Sequence, residues 1–172
     1  ALMAVSAELS RSWTPRAVAA GATVIDNSSA YRMDPAVPLV VPEVNPQALK
    51  GHTGLIANPN CSTIILLVPV APLHAAAGLK RVVVATYQSV SGAGARAMLQ
   101  LYEETRKALR QCRVSSVECR VKPKLTTRHS SLTTVLPGQI AFNVIPQVDV
   151  FLENRSTKEE MKMVGETRKI LG

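Results

Sequence analysis

The sequence predicts an α/β fold, because short apolar runs alternate along it with longer stretches of helical period. Three features carry that expectation. The first 25 residues read strand, helix, strand; Arg81 to Tyr87 is dense in β-branched residues; and Thr157-Lys158-Glu159-Glu160 has the form of a helix capping box. With 47% hydrophobic residues among 172, the chain has the material for a core and lacks the composition of a disordered segment.

In order, Ala1 to Val5 reads as a strand and Arg11 to Ala20 as a helix, with Pro15 in its first turns and Gly21 just past its end. Thr23 to Ile25 is the next strand and closes a βαβ unit. Gly54 to Ala57 is a short buried strand, Asn58-Pro59-Asn60 a turn, and Ser62 onward the apolar start of a helix running toward Gly78. Pro69 and Pro72 each remove a hydrogen-bond donor, so that helix is expected to kink or split. Arg81 to Tyr87 is the strongest strand expectation, and Gly92-Ala93-Gly94 opens an amphipathic helix from Ala95 to Arg110. Thr157 caps a final helix that reaches Leu171. Residues 111–136 hold Cys112, Cys119, His129 and many Ser, Thr and Arg residues without a steady period, and read as a divergent loop or insertion.

The formal charge is +8, and nearly all of the excess is local. Between Arg106 and Arg128, eight cations face Glu118 alone, with no Phe, Tyr or Trp to stack on bases. A solvated basic loop is expected there, and no nucleic-acid partner. No run reaches the roughly 18 apolar residues of a membrane helix, and the opening residues lack the basic-then-apolar form of a signal peptide. Three cysteines at wide spacing suit a reducing compartment better than a disulfide framework. Cys112 and Cys119 with the distant His129 lack the close ligand spacing of zinc, so no metal site is expected. His52, His74 and His129 read as surface or packing histidines.

Cys61 stands between the Asn-Pro-Asn turn and a helix start. There, unpaired N–H groups and the positive end of the helix dipole favour an anion, which is the reactive form of a thiol. A small buried hydrophobe is the competing reading, and local geometry leaves the two about even.

Six segments, in order between Val24 and Leu171, carry a resemblance. They are Val24 to Asp34, Val40 to Pro46, Asn58 to Ile64, Thr86 to Gly94, Ala141 to Pro146, and Lys158 to Leu171. Together they resemble the aspartate-β-semialdehyde dehydrogenase family, whose nucleophile segment is similar to Asn58-Pro59-Asn60-Cys61-Ser62-Thr63. The resemblance implies a partial Rossmann-type cofactor domain over residues 1–57. It implies an incomplete α+β catalytic and dimerisation domain over residues 58–172, of the type shared with glyceraldehyde-3-phosphate dehydrogenase. The implied reaction interconverts aspartyl-4-phosphate and aspartate 4-semialdehyde with NADP and phosphate, as in lysine, threonine and methionine biosynthesis.

Under that resemblance Cys61 is the nucleophile that forms an acyl-thioester, and Gln88 orients the substrate beside the thiol. Arg32 and Lys162 are the phosphate-binding cations, Glu159 receives the substrate's amino group, and Ser91, Gly92 and Ala93 approach the nicotinamide. Read without the family, Glu159 and Lys162 are an ordinary exposed i, i+3 pair, and Gln88 an ordinary strand-end polar residue. The chain departs from the family pattern in having Ser6-Ala7-Glu8-Leu9 where a Gly-containing loop is usual. No Gly-rich diphosphate cradle precedes Ala1, and the family's acid/base histidine would fall beyond Gly172. The expectation is an internal fragment, inactive by itself, of a cytoplasmic homodimeric enzyme, with a plastid as the alternative compartment. An N-acetyl-γ-glutamyl-phosphate reductase-like enzyme and a non-catalytic dimerisation remnant are the rival readings.

Overall fold

A computed structural model describes residues 1–114 and 135–172, with side chains given up to residue 110 in the first stretch. The expectations on Cys112, Cys119 and His129 lie outside what is described. The chain divides into two compact units, Ala1–Val84 with Asp149–Gly172, and Ala85–Val148.

The first unit is built on three short parallel strands, β1 (Leu2–Met3), β2 (Val24–Asp26) and β3 (Leu55–Ala57), in the order β1-β2-β3. Leu2 pairs with Ile25 and Ile25 with Ile56, so one register runs across all three. Helix α1 (Ala7–Ala19) links β1 to β2 and gives the expected βαβ unit, but starts four residues before Arg11. The cause is Ser6, whose hydroxyl accepts the Leu9 N–H at 3.3 Å and caps the helix a turn earlier than the apolar pattern suggests. Ser6 to Leu9 is therefore a cap and first turn, and Pro15 sits inside the helix.

Helix α2 (Cys61–Ala77) is one continuous element despite Pro69 and Pro72, against the expected split. Each proline deprives the carbonyl four residues back, at Ile65 and Val68, of its partner. Both of those residues are exposed, at 74% and 45%, so water can take the place of the missing N–H groups. Gly78 closes the helix with φ +64°, a left-handed cap that glycine adopts without steric cost.

Helix α4 (Lys158–Leu171) has the expected capping box, with the Glu160 N–H on the Thr157 hydroxyl and the Thr157 N–H on the Glu160 carboxylate. The core of this unit is Val37, Leu39, Val41, Ala57, Leu67 and Ile170, so β3, α2, α4 and the loop after Asp34 share one apolar centre.

In the second unit, a short 3-10 turn (Val90–Ala93) leads into α3 (Ala95–Val114). Side chains of α3 hold residues 135–141: Gln100 Oε1 accepts the Val135 N–H at 3.0 Å, and Glu104 Oε2 those of Ile140 and Ala141 at 2.8 and 3.0 Å.

The strand expected over Arg81 to Tyr87 is corrected: these residues form no strand. A strand exists only as part of a ladder, and no described segment pairs with this one. Val83 and Tyr87 are left 81% and 90% exposed. Its β-branched composition records a preference that needs a neighbour to be realised.

Candidate functional site

Cys61 is the first residue of α2, and its thiol is exposed and free. The bland reading of Cys61 as a buried hydrophobe is thus removed. The helix begins there because Asn60 is extended (φ −60°, ψ 145°) and its Oδ1 accepts the Ser62 N–H at 2.9 Å. Asn60 does more than cap. Its Nδ2 donates to Glu159 Oε1 at 2.8 Å and its backbone N–H to Glu166 Oε2 at 2.6 Å, so two carboxylates of α4 hold the residue before the cysteine.

Arg32 follows the turn at the carboxyl end of β2. That turn is set by the buried Asp26, which accepts the Ser28 N–H and hydroxyl, both at 2.9 Å. The Arg32 side chain is buried. Its Nη1 donates to Glu166 Oε1 at 3.2 Å, its Nη2 to the Asn27 carbonyl at 2.8 Å, and its Nε is without a partner. Lys169 fixes the same loop from α4, its ammonium donating to the carbonyls of Arg32, Asp34 and Val37 at 2.8, 2.6 and 2.8 Å.

Lys162 Nζ bonds Glu159 Oε2 and Asp149 Oδ2, each at 3.1 Å. Burial opposes the Lys162 charge, yet the two carboxylates more than offset it and hold the ammonium above its ordinary range. For Asp149 burial likewise pushes the carboxyl up, and the Val150 N–H and Lys162 outweigh it, leaving the group below the usual carboxylate range. A depressed folded-state pKa contributes stability above the unfolded value of about 3.9 that is lost as pH falls through the folded value. Asp149→Asn is therefore expected to lower the urea midpoint at pH 7 and to lower it by less near pH 2. A stability difference of the same size at both pH values would remove this ion pair from the account.

Arg11, Ser29, Arg32, Lys158, Lys162 and Glu166 line a cleft of about 330 Å³, together with Met33, Met161 and Gly165. Four cations face one carboxylate on its walls, which suits an anionic ligand. A larger hollow of about 580 Å³ lies against Met3, Val5, Leu9 and Trp13, with Arg16 stacked 4.5 Å over the indole ring. Its walls are apolar, and it holds none of the expected site residues.

Arg32, Cys61, Glu159 and Lys162 thus belong to the first unit, where α4 ties three of them to the cap of the cysteine helix. Gln88, Ser91, Gly92 and Ala93 belong to the second. There Gln88 folds over Gly92, where an added Cβ would come within 2.1 Å of its amide nitrogen. Glycine at 92 leaves room for that amide. His52 and His74 have local roles, their Nδ1 atoms accepting the Gly54 and Leu79 N–H groups at 3.1 and 3.2 Å.

Sequence reasoning missed Glu166, Lys169 and the second role of Asn60. The spacing of Glu159, Lys162, Glu166 and Lys169 by three, four and three residues was the available signal, since it puts them along one helix face. Among the described residues, no group of three or more acidic, His or Cys side chains could hold a metal ion, and no helix is long and apolar enough to cross a membrane.

Residues 1–52 match the family model described as semialdehyde dehydrogenase, NAD binding domain, and residues 70–172 the one described as semialdehyde dehydrogenase, dimerisation domain. The chain is 49% identical to an aspartate-semialdehyde dehydrogenase of Aquifex aeolicus and 47% identical to one of Bacillus subtilis, over 99% of this chain and 46% of each relative. Its fold is similar to the crystal structure of aspartate semialdehyde dehydrogenase II from Vibrio cholerae, with TM-score 0.84 and 46% identity, over 99% of this chain and 46% of that one. A second structure of that Vibrio cholerae protein, complexed with ASA, aligns with TM-score 0.83 over the same shares. The chain spans about half the length of the relatives it matches.

Proposed function

The chain belongs to the semialdehyde dehydrogenase family, and from that premise we propose that its residues serve the phosphate-dependent interconversion of aspartyl-4-phosphate and aspartate 4-semialdehyde, with NADP. The observation that carries this reading is the first helical residue of α2: an exposed, free thiol whose preceding residue is bonded to the α4 face that also holds Arg32 and Lys162.

We assign residues 1–57 to the cofactor-binding part and 58–172 to the catalytic and dimerisation part. The loop holding Arg32 and the turn that leads into Cys61 follow the carboxyl ends of β2 and β3, the side of an open parallel sheet where dinucleotides bind, so this end of the sheet fits the cofactor. When bound, NADP supplies or accepts the hydride. In the direction of aldehyde formation, the Cys61 thiolate attacks the acyl-phosphate carbonyl, a carbon–sulfur bond forms, and the carbon–oxygen bond to phosphate breaks. Arg32 and Lys162 take up the charge of the departing phosphate, a guanidinium and an ammonium on one cleft wall. Glu159 meets the substrate's ammonium with the lone pairs left free by Asn60 and Lys162. Gln88 presents an uncharged amide that orients the substrate, and Ser91, Gly92 and Ala93 approach the nicotinamide. The same reading makes the working protein a homodimer acting in the cytoplasm, a reducing compartment in which the Cys61 thiol stays free.

A hybrid tests it: this chain replaces the 47%-identical stretch of the Bacillus subtilis relative. The hybrid is expected to reduce NADP with aspartate semialdehyde only when phosphate is present. A folded hybrid that forms no NADPH would overturn the reading.

A further inference from the structure

Glu166 is 2% exposed and has both oxygens engaged by different parts of the chain, Oε1 by Arg32 Nη1 at 3.2 Å and Oε2 by the Asn60 N–H at 2.6 Å. A carboxylate held from two sides cannot turn away from Arg32 without breaking the bond to the cap of the cysteine helix. The guanidinium is fixed in turn, by the Asn27 carbonyl at Nη2 and by Lys169 on its own backbone carbonyl. Its Nε remains buried without a partner, a donor held ready beside the cleft. Lys162 is likewise paired, with Asp149 and Glu159. Both cations assigned to phosphate therefore have carboxylate partners in place before any phosphate arrives.

We propose that Glu166 is the resident counter-anion of this cleft, a positioning residue that holds the Arg32 guanidinium and keeps phosphate binding weak. The proposal rests on the reading of Arg32 and Lys162 as phosphate-binding cations. A phosphate entering the cleft shares Arg32 with a carboxylate that is already bonded to it, and the two anions repel across a few ångströms of partly dry protein. Such weakening suits the reaction, because phosphate is bound and released in every turnover, and a site that held it too tightly would stall.

The sign of the effect separates this role from a merely structural one. If Glu166 only braced the fold, its loss would loosen Arg32 and weaken phosphate binding. As a counter-anion, its loss strengthens binding. In calorimetric titration of the 172-residue chain with inorganic phosphate, Glu166→Gln is expected to lower the phosphate Kd about tenfold, the scale of one charge removed at short range in a partly buried site. Arg32→Gln should raise the Kd, and adding Glu166→Gln to it should tighten binding by less than Glu166→Gln does alone, because the shared guanidinium is gone and only the direct repulsion is relieved.

Should Glu166→Gln melt below the titration temperature, Glu166→Asp serves instead: it keeps the charge, draws it back by one methylene, and is expected to lower the Kd roughly threefold. An unchanged or raised Kd in the folded variant overturns the proposal, and so does tightening in the double variant as large as in Glu166→Gln alone. Absence of phosphate binding by the unaltered chain overturns the reading of Arg32 and Lys162 and this inference together. Binding that depends on Arg32 and ignores Glu166 overturns this inference alone.

Discussion

Cys61→Ser is expected to lower phosphate-dependent NADPH formation by the hybrid at least about 10³-fold, with the fold intact. A serine hydroxyl stays protonated near neutral pH and is a far weaker nucleophile than a thiolate, so the attack that forms the carbon–sulfur bond has no counterpart. The side chains are nearly isosteric, and the thiol is exposed at the first turn of α2, so packing should change little. The cap is independent of the cysteine side chain, because it is made by Asn60 on Ser62, Glu159 and Glu166. Steady-state rates with circular dichroism on both proteins would check this. Turnover within tenfold of the unaltered hybrid would remove the covalent step from the mechanism.

Leu67→Ala is expected to lower stability by about 3 kcal/mol, within the roughly 2–5 kcal/mol range of buried leucine truncations. Leu67 is fully buried and belongs to the cluster that joins α2 to β3, to the loop through Val41 and to Ile170 of α4. Truncation removes apolar burial and leaves a cavity that fixed neighbours cannot fill. The same helix offers a control, since Ile65 is 74% exposed and its replacement by Ala should cost within about 0.5 kcal/mol. Urea denaturation followed by fluorescence of Trp13, the single tryptophan, reports on the unit that contains both positions. Equal losses at 65 and 67 would contradict the packing of α2 described here.

Much of the first unit is legible in sequence because the determinants are local. The capping box at Thr157 and Glu160 needs only residues three apart, and the Asn-Pro-Asn turn before Cys61 needs only its own side chains. The early start of α1 was legible in principle, since Ser6 is a good N-cap. The apolar period begins only later, and a hydroxyl three residues ahead of Leu9 leaves no periodic trace. The continuity of α2 through two prolines is not a local matter in the same sense. It depends on which side of the helix faces water, and packing decides that.

What the sequence by itself determined is the family, the parallel βαβ opening and the placing of Cys61 at a helix start, all of them carried by motifs a few residues long. Only the tertiary structure decided that Arg32 is paired with a carboxylate 134 residues away, and that the Asn60 amide is bonded to one 106 residues away. It also decided that Arg81 to Tyr87, for all its β-branched residues, forms no strand. The physical reason is common to these cases. A cap or a turn is satisfied by its own neighbours, whereas an ion pair or a sheet ladder exists only once a distant segment has been brought beside it.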